Sequence, residues 1–545
     1  MTSPDAAPSP SPGLPAALAA WAALLGAEHV LDGAAASGRY GACTLRSGRT
    51  VSAALRPGSV DDVVRALAIA GQHGVALYPV STGNNWGYGS ANPPRAGSVV
   101  LDLSRMNRIV EMDEELGFIT VEPGVTQGQL HQYLRERKLP FLVPAHGGGP
   151  DCSLIGNAVE RGYGITPYAD HFAAVMALEA VLPDGRVYRS GLAEAGGTLA
   201  DKAFKWGVGP YLDGLFTQSG FGVVTRMTIA LAQRPESTMA FFFSLADDRD
   251  LEEAVLRVRD TLRTVSGVVG SVNLMNRRRV LSMMVPYPRE QVPPGGIVPT
   301  ALVERLGRHH QVLAWTGAGA LYGPGRVVAG AKAAVAHCLK PLVKRLVFVS
   351  GERLRPAKAL VESVPLLARG RLGNIVTTLD KTLRLLDGEP SDIALPLAYW
   401  KTPARRPATG DMNPARDGCG LLWYAPLVPM KAAITRSFVT MAESVCVKHG
   451  MEPLITLTSL SDRCFDSTVP LLFDQDDAGE TARAHACLEE LLTTGQQLGF
   501  SPYRVGIESM AHVVRPDTTF WQLAGELKRT VDAGNLLAPG RYSLD

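Results

Sequence analysis

The residues best placed to do chemistry in this 545-residue chain begin with Pro79-Val-Ser-Thr-Gly-Asn-Asn-Trp-Gly-Tyr-Gly89. An apolar, strand-like run over residues 74–80 leads straight into a loop where Gly83, Gly87 and Gly89 alternate with small polar residues. Glycine permits positive φ and lets a ligand come close to the backbone. Consecutive amide N–H groups exposed in this way form a nest for an anion such as a pyrophosphate. The spacing is neither G-x-G-x-x-G nor G-x-x-x-x-G-K-[ST], so neither a Rossmann nor a P-loop reading applies. Two more segments of similar make follow: Val143-Pro-Ala-His-Gly-Gly-Gly-Pro-Asp-Cys-Ser-Leu-Ile-Gly-Asn157, continuing to Asp170-His171, and Gly214-Leu-Phe-Thr-Gln-Ser-Gly-Phe-Gly-Val-Val-Thr225.

In this order and at this spacing, the three segments resemble the vanillyl-alcohol oxidase / p-cresol methylhydroxylase family of FAD enzymes. The likeness runs from about residue 60 to 231 and returns at Pro502-Tyr-Arg504 and Leu537-Ala-Pro-Gly-Arg541. It implies an α+β fold: a two-subdomain FAD-binding domain of p-cresol methylhydroxylase (PCMH) type, with an α+β substrate cap inserted before a C-terminal return. The division it implies is a leader and helix over 1–45, the FAD-binding domain over 46–235, the cap over 236–500 and the return over 501–545. The implied FAD contacts are Pro79, Ser81, Thr82, Gly83, Asn84, Asn85 and Gly87 in the first segment. Ser153, Ile155, Gly156, Asn157 and Arg161 follow in the second, Gly222, Val223 and Val224 on the adenine side, and Arg541 from the C-terminus. Glu160 and Arg161 have a second reading, in which they pair with each other and brace the loop.

Tyr88, Tyr503 and Arg504 match the family's phenol-binding positions. A guanidinium and two phenolic O–H donors aimed at one oxygen stabilise a phenolate by charge-assisted hydrogen bonds and lower the substrate's pKa. Ionising a para-alkylphenol pushes electron density toward the benzylic C–H and eases hydride transfer to flavin N5. A p-quinone methide results, which water can attack. The chain departs from the family where Ala145 stands in place of an aspartate and residues 150–152 expand the loop. Asp151 or His146 is then the candidate base or water-activating group, since imidazole titrates near neutrality; a satisfied loop histidine is the alternative. Cys152 reads as a buried thiol rather than a thioether to the flavin. Asp170-His171 reads as a hydrogen-bonded core pair rather than a metal site. Gly420 and Leu421 occupy the place of the family's flavin-linking histidine, so FAD is expected to be bound non-covalently.

These groups need elements to hold them. Ser59 caps a helix that stops near Gly71, strands are expected over 98–103 and 117–122, and residues 127–138 read as a helix. Residues 175–188 read as a hairpin turning at Asp184-Gly185. Beyond Pro235 come a strand over 239–245, helices over 251–265, 327–338 and 430–449, and a surface loop over 403–416. Hydrophobic content of 46% with 19% charged residues suits a globular protein, and a net charge of +2 gives no electrostatic footprint for nucleic acid. Seven scattered cysteines without C-x-x-C argue against a disulfide framework or zinc site and suit a cytoplasmic location. Residues 1–12 read as a disordered leader. The apolar run 14–26 has no basic residue before it and is too short to span a bilayer, so it reads as a packed helix, with no membrane partner.

The expectation is therefore an FAD-dependent oxidase or dehydrogenase acting on a small phenol. Oxygen, a cytochrome or a quinone would be its electron acceptor, and a homo-oligomer is a family habit. The alternatives are the same fold acting on a larger secondary metabolite and a catalytically degenerate flavin-binding scaffold.

Overall fold

Ser59 starts the first long element of the chain. Its side chain accepts the Asp62 N–H, and the helix Val60–His73 runs until Gly74 turns left-handed at φ 61°. The helix passes the expected stop because Gly71 keeps helical geometry and only Gly74 leaves it. Its buried face (Val63, Ala66, Leu67, Ala70) packs on the helix Leu14–Leu25 and on a four-stranded sheet. The apolar N-terminal run is thus the packed helix expected, with Trp21 fully buried and its indole N–H donating to Ala66 O at 3.1 Å. The computed structural model describes residues 11–46, 49–363 and 371–543; the leader up to residue 10 lies outside them.

The four-stranded sheet runs in the order Val30–Leu31, Ala53–Leu55, Val99–Asp102, Leu77–Val80, the last three parallel. Leu77–Val80 delivers the chain into the first glycine loop. A second sheet is antiparallel throughout, in the order Ile109–Asp113, Phe118–Val121, Val223–Ala230, Val175–Val181, Val187–Arg189. The 175–189 hairpin turns at Gly185, φ 88°, as its sequence demands. The helix Gln127–Glu136, capped by the Thr126 hydroxyl, lies over this sheet's core. Val181 and Val223 reach from the second sheet into the core of the first and join the two halves.

The C-terminus returns to this pair. Leu77 N–H donates to Leu536 O and Ala538 N–H to Leu77 O, both at 2.7 Å, adding one parallel bridge to the first sheet. Buried Lys528 donates to Gly220 O at 2.7 Å and Leu537 O at 2.8 Å, tying the return to the third glycine segment.

Residues between them build an eight-stranded antiparallel sheet. Its order is Arg345–Ser350, Ser237–Leu245, Trp315–Gly323, Val269–Asn276, Thr456–Ser459, Cys464–Asp474, Cys419–Tyr424, with Leu427–Pro429 also beside Cys464–Asp474. The helices Leu251–Thr264, Gly325–Leu339, Ala432–Lys448 and Ala478–Gln497 cover one face. Strand alternation sends Leu274, Leu457, Val469, Leu471 and Phe473 into that core. Asn273, Thr458, Asp466 and Thr468 share the other face, as their cross-strand pairing requires. Among the described residues, no helix is long and apolar enough to cross a membrane.

Trp21→Ala removes a fully buried indole and its hydrogen bond, a loss of about 3–5 kcal/mol for a change of this kind. The unfolding midpoint of the variant falls in a denaturant titration, while a midpoint equal to wild type would show that the helix adds nothing to the domain.

Candidate active site

A cavity of about 540 Å³ opens between the first two glycine segments, the exposed face of the eight-stranded sheet and the C-terminal return. Gly83 (φ 72°) lines its first wall, and behind it a side chain at Gly87 (φ 78°) would collide with the Trp423 indole. Among the described residues, the backbone amides of Thr82, Gly83, Asn84 and Asn85 find no acceptor, although all four residues line the cavity. Orphan amides in a row are what an anion needs. Ser153 caps the short helix Leu154–Val159, its hydroxyl accepting the Gly156 N–H at 2.9 Å, and Gly156 is pressed so close to Ser81 that no Cβ fits between. The unsatisfied donor row, beside the Ser153-capped turn, fits the diphosphate of FAD.

The cavity brings together most of the residues the sequence singled out. Pro79, Ser81, Thr82, Gly83, Asn84, Asn85, Ser153, Ile155, Gly156, Asn157, Gly222, Val224 and Arg541 line it, as do Tyr88, His146, Tyr503 and Arg504. Four lie elsewhere. Gly87 faces Trp423 and donates its N–H to the Thr44 hydroxyl at 2.8 Å. Val223 is in the core, Arg161 donates to the Thr217 hydroxyl at 3.0 Å, and exposed Asp151 borders an adjoining groove.

Glu160 does not pair with Arg161. Its carboxylate meets Arg504 Nε at 3.3 Å and also pairs with Arg541, all three side chains being nearly buried. Arg541 donates to Tyr78 Oη at 3.0 Å, and Arg504 donates to Asn85 Oδ1. The Arg504 guanidinium lies 4.3 Å from the Tyr88 ring centre, a cation–π contact that fixes both groups. The Tyr503 ring meets Tyr163 edge-on at 5.6 Å. Burial pushes the phenols of Tyr88 and Tyr503 well above the usual tyrosine range, Arg504 opposing it in both, so each is a neutral O–H donor.

Behind them is a group that sequence reading missed. Asp466 is buried in the strand Cys464–Asp474 and its Oδ1 has no hydrogen-bond partner. Burial pushes its carboxyl up to about 7, against the pull of Arg504. The signal was legible as an acid inside a strand rather than at its end, but it has no meaning until the strand's face is known.

His146 has the opposite character. Burial, then the nearby His171 and Arg504, pushes its imidazole down to about 3. Its Nδ1 accepts the Gly148 N–H at 3.1 Å, so the proton is on Nε2, which has no partner. Burial therefore keeps His146 a neutral imidazole at neutral pH, its Nε2 proton without a partner. The expected Asp170-His171 pair does not form: His171 Nδ1 bonds Asn157 Nδ2 at 2.5 Å while Asp170 is exposed. Cys152 is a buried thiol donating to Gly148 O at 3.0 Å, pushed up by burial to about 12. All seven cysteines are free. Leu421 lines the cavity, whereas Gly420 packs against Phe473 on the far face of its strand.

Comparison with known proteins agrees with this geometry. An FAD binding domain model matches residues 51–191. The 1'-carboxy-chondrochloren decarboxylase of Chondromyces crocatus is 36% identical, the alignment covering 96% of each chain. The flavoprotein subunit of 4-cresol dehydrogenase [hydroxylating] from Pseudomonas putida is 30% identical, over 91% of this chain and 88% of that protein. The crystal structure of p-cresol methylhydroxylase with substrate bound superposes with a TM-score of 0.86 at 28% identity, covering 98% of this chain and 97% of the other.

Asp466 binds a proton in the fold that the unfolded chain has already lost above pH ~4. Its contribution to stability therefore falls as pH rises from about 4 to the folded value of about 7. Difference infrared spectra of wild type against Asp466→Asn show a protonated carboxyl band at pH 6 that fades by pH 8.5. A carboxylate band already complete at pH 6 would contradict this environment.

Proposed function

Because the chain belongs to the PCMH family of FAD-dependent oxidoreductases, we propose that it oxidises a para-substituted phenol at the benzylic carbon. The observation that carries this reading is the convergence of Arg504, Tyr88 and Tyr503 on one cavity, with both tyrosines held neutral and Arg504 fixed by Glu160. Two O–H donors and one cation leave room for an anionic oxygen as the missing acceptor. A phenol bound there ionises, and its charge delocalises to the para position. The benzylic C–H bond then breaks with its electron pair leaving as hydride, and the substrate becomes the p-quinone methide. Water adding to that carbon gives the alcohol, and loss of a proton from the next carbon gives the alkene.

FAD supplies the two-electron acceptor for this chemistry. The amides of residues 82–85, the Ser153–Gly156 turn and Arg541 would hold it. His146 lines the same cavity, and its buried Nε2–H has no partner among the described residues. Since the residues at the family's linking position are Gly420 and Leu421, neither nucleophilic, FAD is bound without a covalent bond.

A second reading keeps the anchor and enlarges the substrate to a tailored secondary metabolite. Ala145, fully buried where an acidic side chain was expected, favours it, as does the decarboxylase 36% identical over nearly the whole chain.

Arg504→Ala lowers the rate of anaerobic flavin reduction by 4-alkylphenols about 10²–10³-fold, the scale for loss of one oxyanion donor, with FAD still bound. Unchanged reduction would remove the phenolate assignment. Acid precipitation of the yellow protein leaves the pellet colourless and the flavin in solution; a yellow pellet would refute the non-covalent bond.

A further inference from the structure

Three consecutive arginines open the helix Arg277–Met284, and they are not alike. Arg277 donates to Leu313 O at 3.3 Å, and Arg278 is paired with Glu452 at 2.8 Å. Arg279 lines the cavity, and among the described residues no carboxylate lies within ion-pair distance of it. Its Nε is buried without a partner, and its one side-chain bond is a long 3.4 Å contact from Nη1 to the Ser282 hydroxyl. The backbone around it is pinned. Its N–H donates to Asn276 Oδ1 at 3.0 Å, its carbonyl accepts the Ser282 hydroxyl at 2.7 Å, and Asn276 itself is tied to Pro453 O at 2.8 Å. Burial alone, with no charged neighbour to oppose it, pushes the guanidinium down to about 10.

A desolvated guanidinium held in place without a counterion is costly unless a ligand provides one. The charges lining the cavity are Arg279, Arg504, Arg541 and a single carboxylate, Glu160, which is committed to the other two arginines. Arg279 sits on the helix that follows the strand Val269–Asn276, several strands across the sheet from Tyr503. Across the sheet the order is Met275, Thr456, Thr468, then the 425–426 turn and the 502–503 return. Met275 and Tyr503 are thus four strand spacings apart, roughly 19 Å between backbones.

We propose that Arg279 binds a carboxylate at the far end of the substrate's para side chain, making this cavity a site for hydroxyphenyl-alkanoic acids or longer phenolic acids. The planar guanidinium matches a carboxylate with two parallel N–H···O bonds. This substrate class rests on the phenolate reading above. Arg504 holds one end of the molecule and Arg279 the other, which fixes the benzylic carbon between them.

The test uses the FAD-loaded protein and a series of ω-(4-hydroxyphenyl)alkanoic acids with two to six methylenes, each beside its methyl ester, with 4-ethylphenol as neutral control. Calorimetric Kd and anaerobic flavin reduction are both read. Wild type binds at least one acid about tenfold or more tighter than its ester, and Arg279→Met brings the acid-to-ester ratio close to one. Arg279→Glu inverts it in favour of the corresponding 4-(ω-aminoalkyl)phenol. Equal binding of acid and ester by wild type, or no binding of either, overturns the proposal, as does loss of FAD from Arg279→Met, which would assign the arginine to the cofactor. Flavin reduction by 4-ethylphenol without acid preference overturns the carboxylate subsite and leaves the phenol reading standing. Tight, Arg279-dependent acid binding with no reduction by any phenol supports the subsite and rejects the phenol chemistry.

Discussion

The carboxylate of Glu160 meets Arg504 at 3.3 Å on one side and pairs with Arg541 on the other, and all three groups are nearly removed from solvent. It is the point where the second glycine segment, the 502–504 turn and the C-terminal tail become one object. Removing one member of a buried ion cluster leaves an uncompensated charge at a cost of about 3–5 kcal/mol. The same contact sets the chemistry. One carboxylate cannot neutralise two guanidinium groups, so the surplus positive charge faces the cavity from Arg504, beside the Tyr88 ring at 4.3 Å, and from Arg541. Negative charge developing on a bound oxygen finds donors already in place, with little left to reorganise.

The large sheet completes the site by a simple periodicity. Successive side chains on a strand point to opposite faces. Leu471 and Phe473 lie in the helix-covered core, while Asp466 and Thr468 share the cavity side with Thr458. The sheet is therefore both the floor of the helix-covered core and the polar roof of the cavity. Burial sets the electrical character around the cavity, holding Tyr88 and Tyr503 as neutral donors and pushing the carboxyl of Asp466, on the sheet, up to about 7.

Much of this was legible before any coordinates. The glycine loop after Leu77–Val80, the Ser59 cap and the 175–189 hairpin are local signals, decided by residues a few positions apart, and the chain follows them. Tyr88, Tyr503 and Arg504 were found through a family likeness, not periodicity, since Tyr88 is more than 400 residues from the adjacent Tyr503 and Arg504. What failed was pairing. Glu160 prefers two distant arginines to its neighbour Arg161, and His171 bonds Asn157 instead of involving Asp170, because tertiary contacts and not adjacency settle buried hydrogen bonds. Asp466 and Arg279 were missed for the same reason. Their meaning depends on which sheet face and which helix end turn toward the cavity, and the cap sequence carried too little likeness to say.

The central claim is that this cavity binds a phenol as its anion. The most direct measurement is the ultraviolet difference spectrum of a tight-binding 4-alkylphenol added anaerobically to the yellow protein near pH 7, several units below the phenol's solution pKa. The account predicts the phenolate band in the bound ligand and its loss in Arg504→Ala. A bound ligand with the spectrum of the neutral phenol would contradict it.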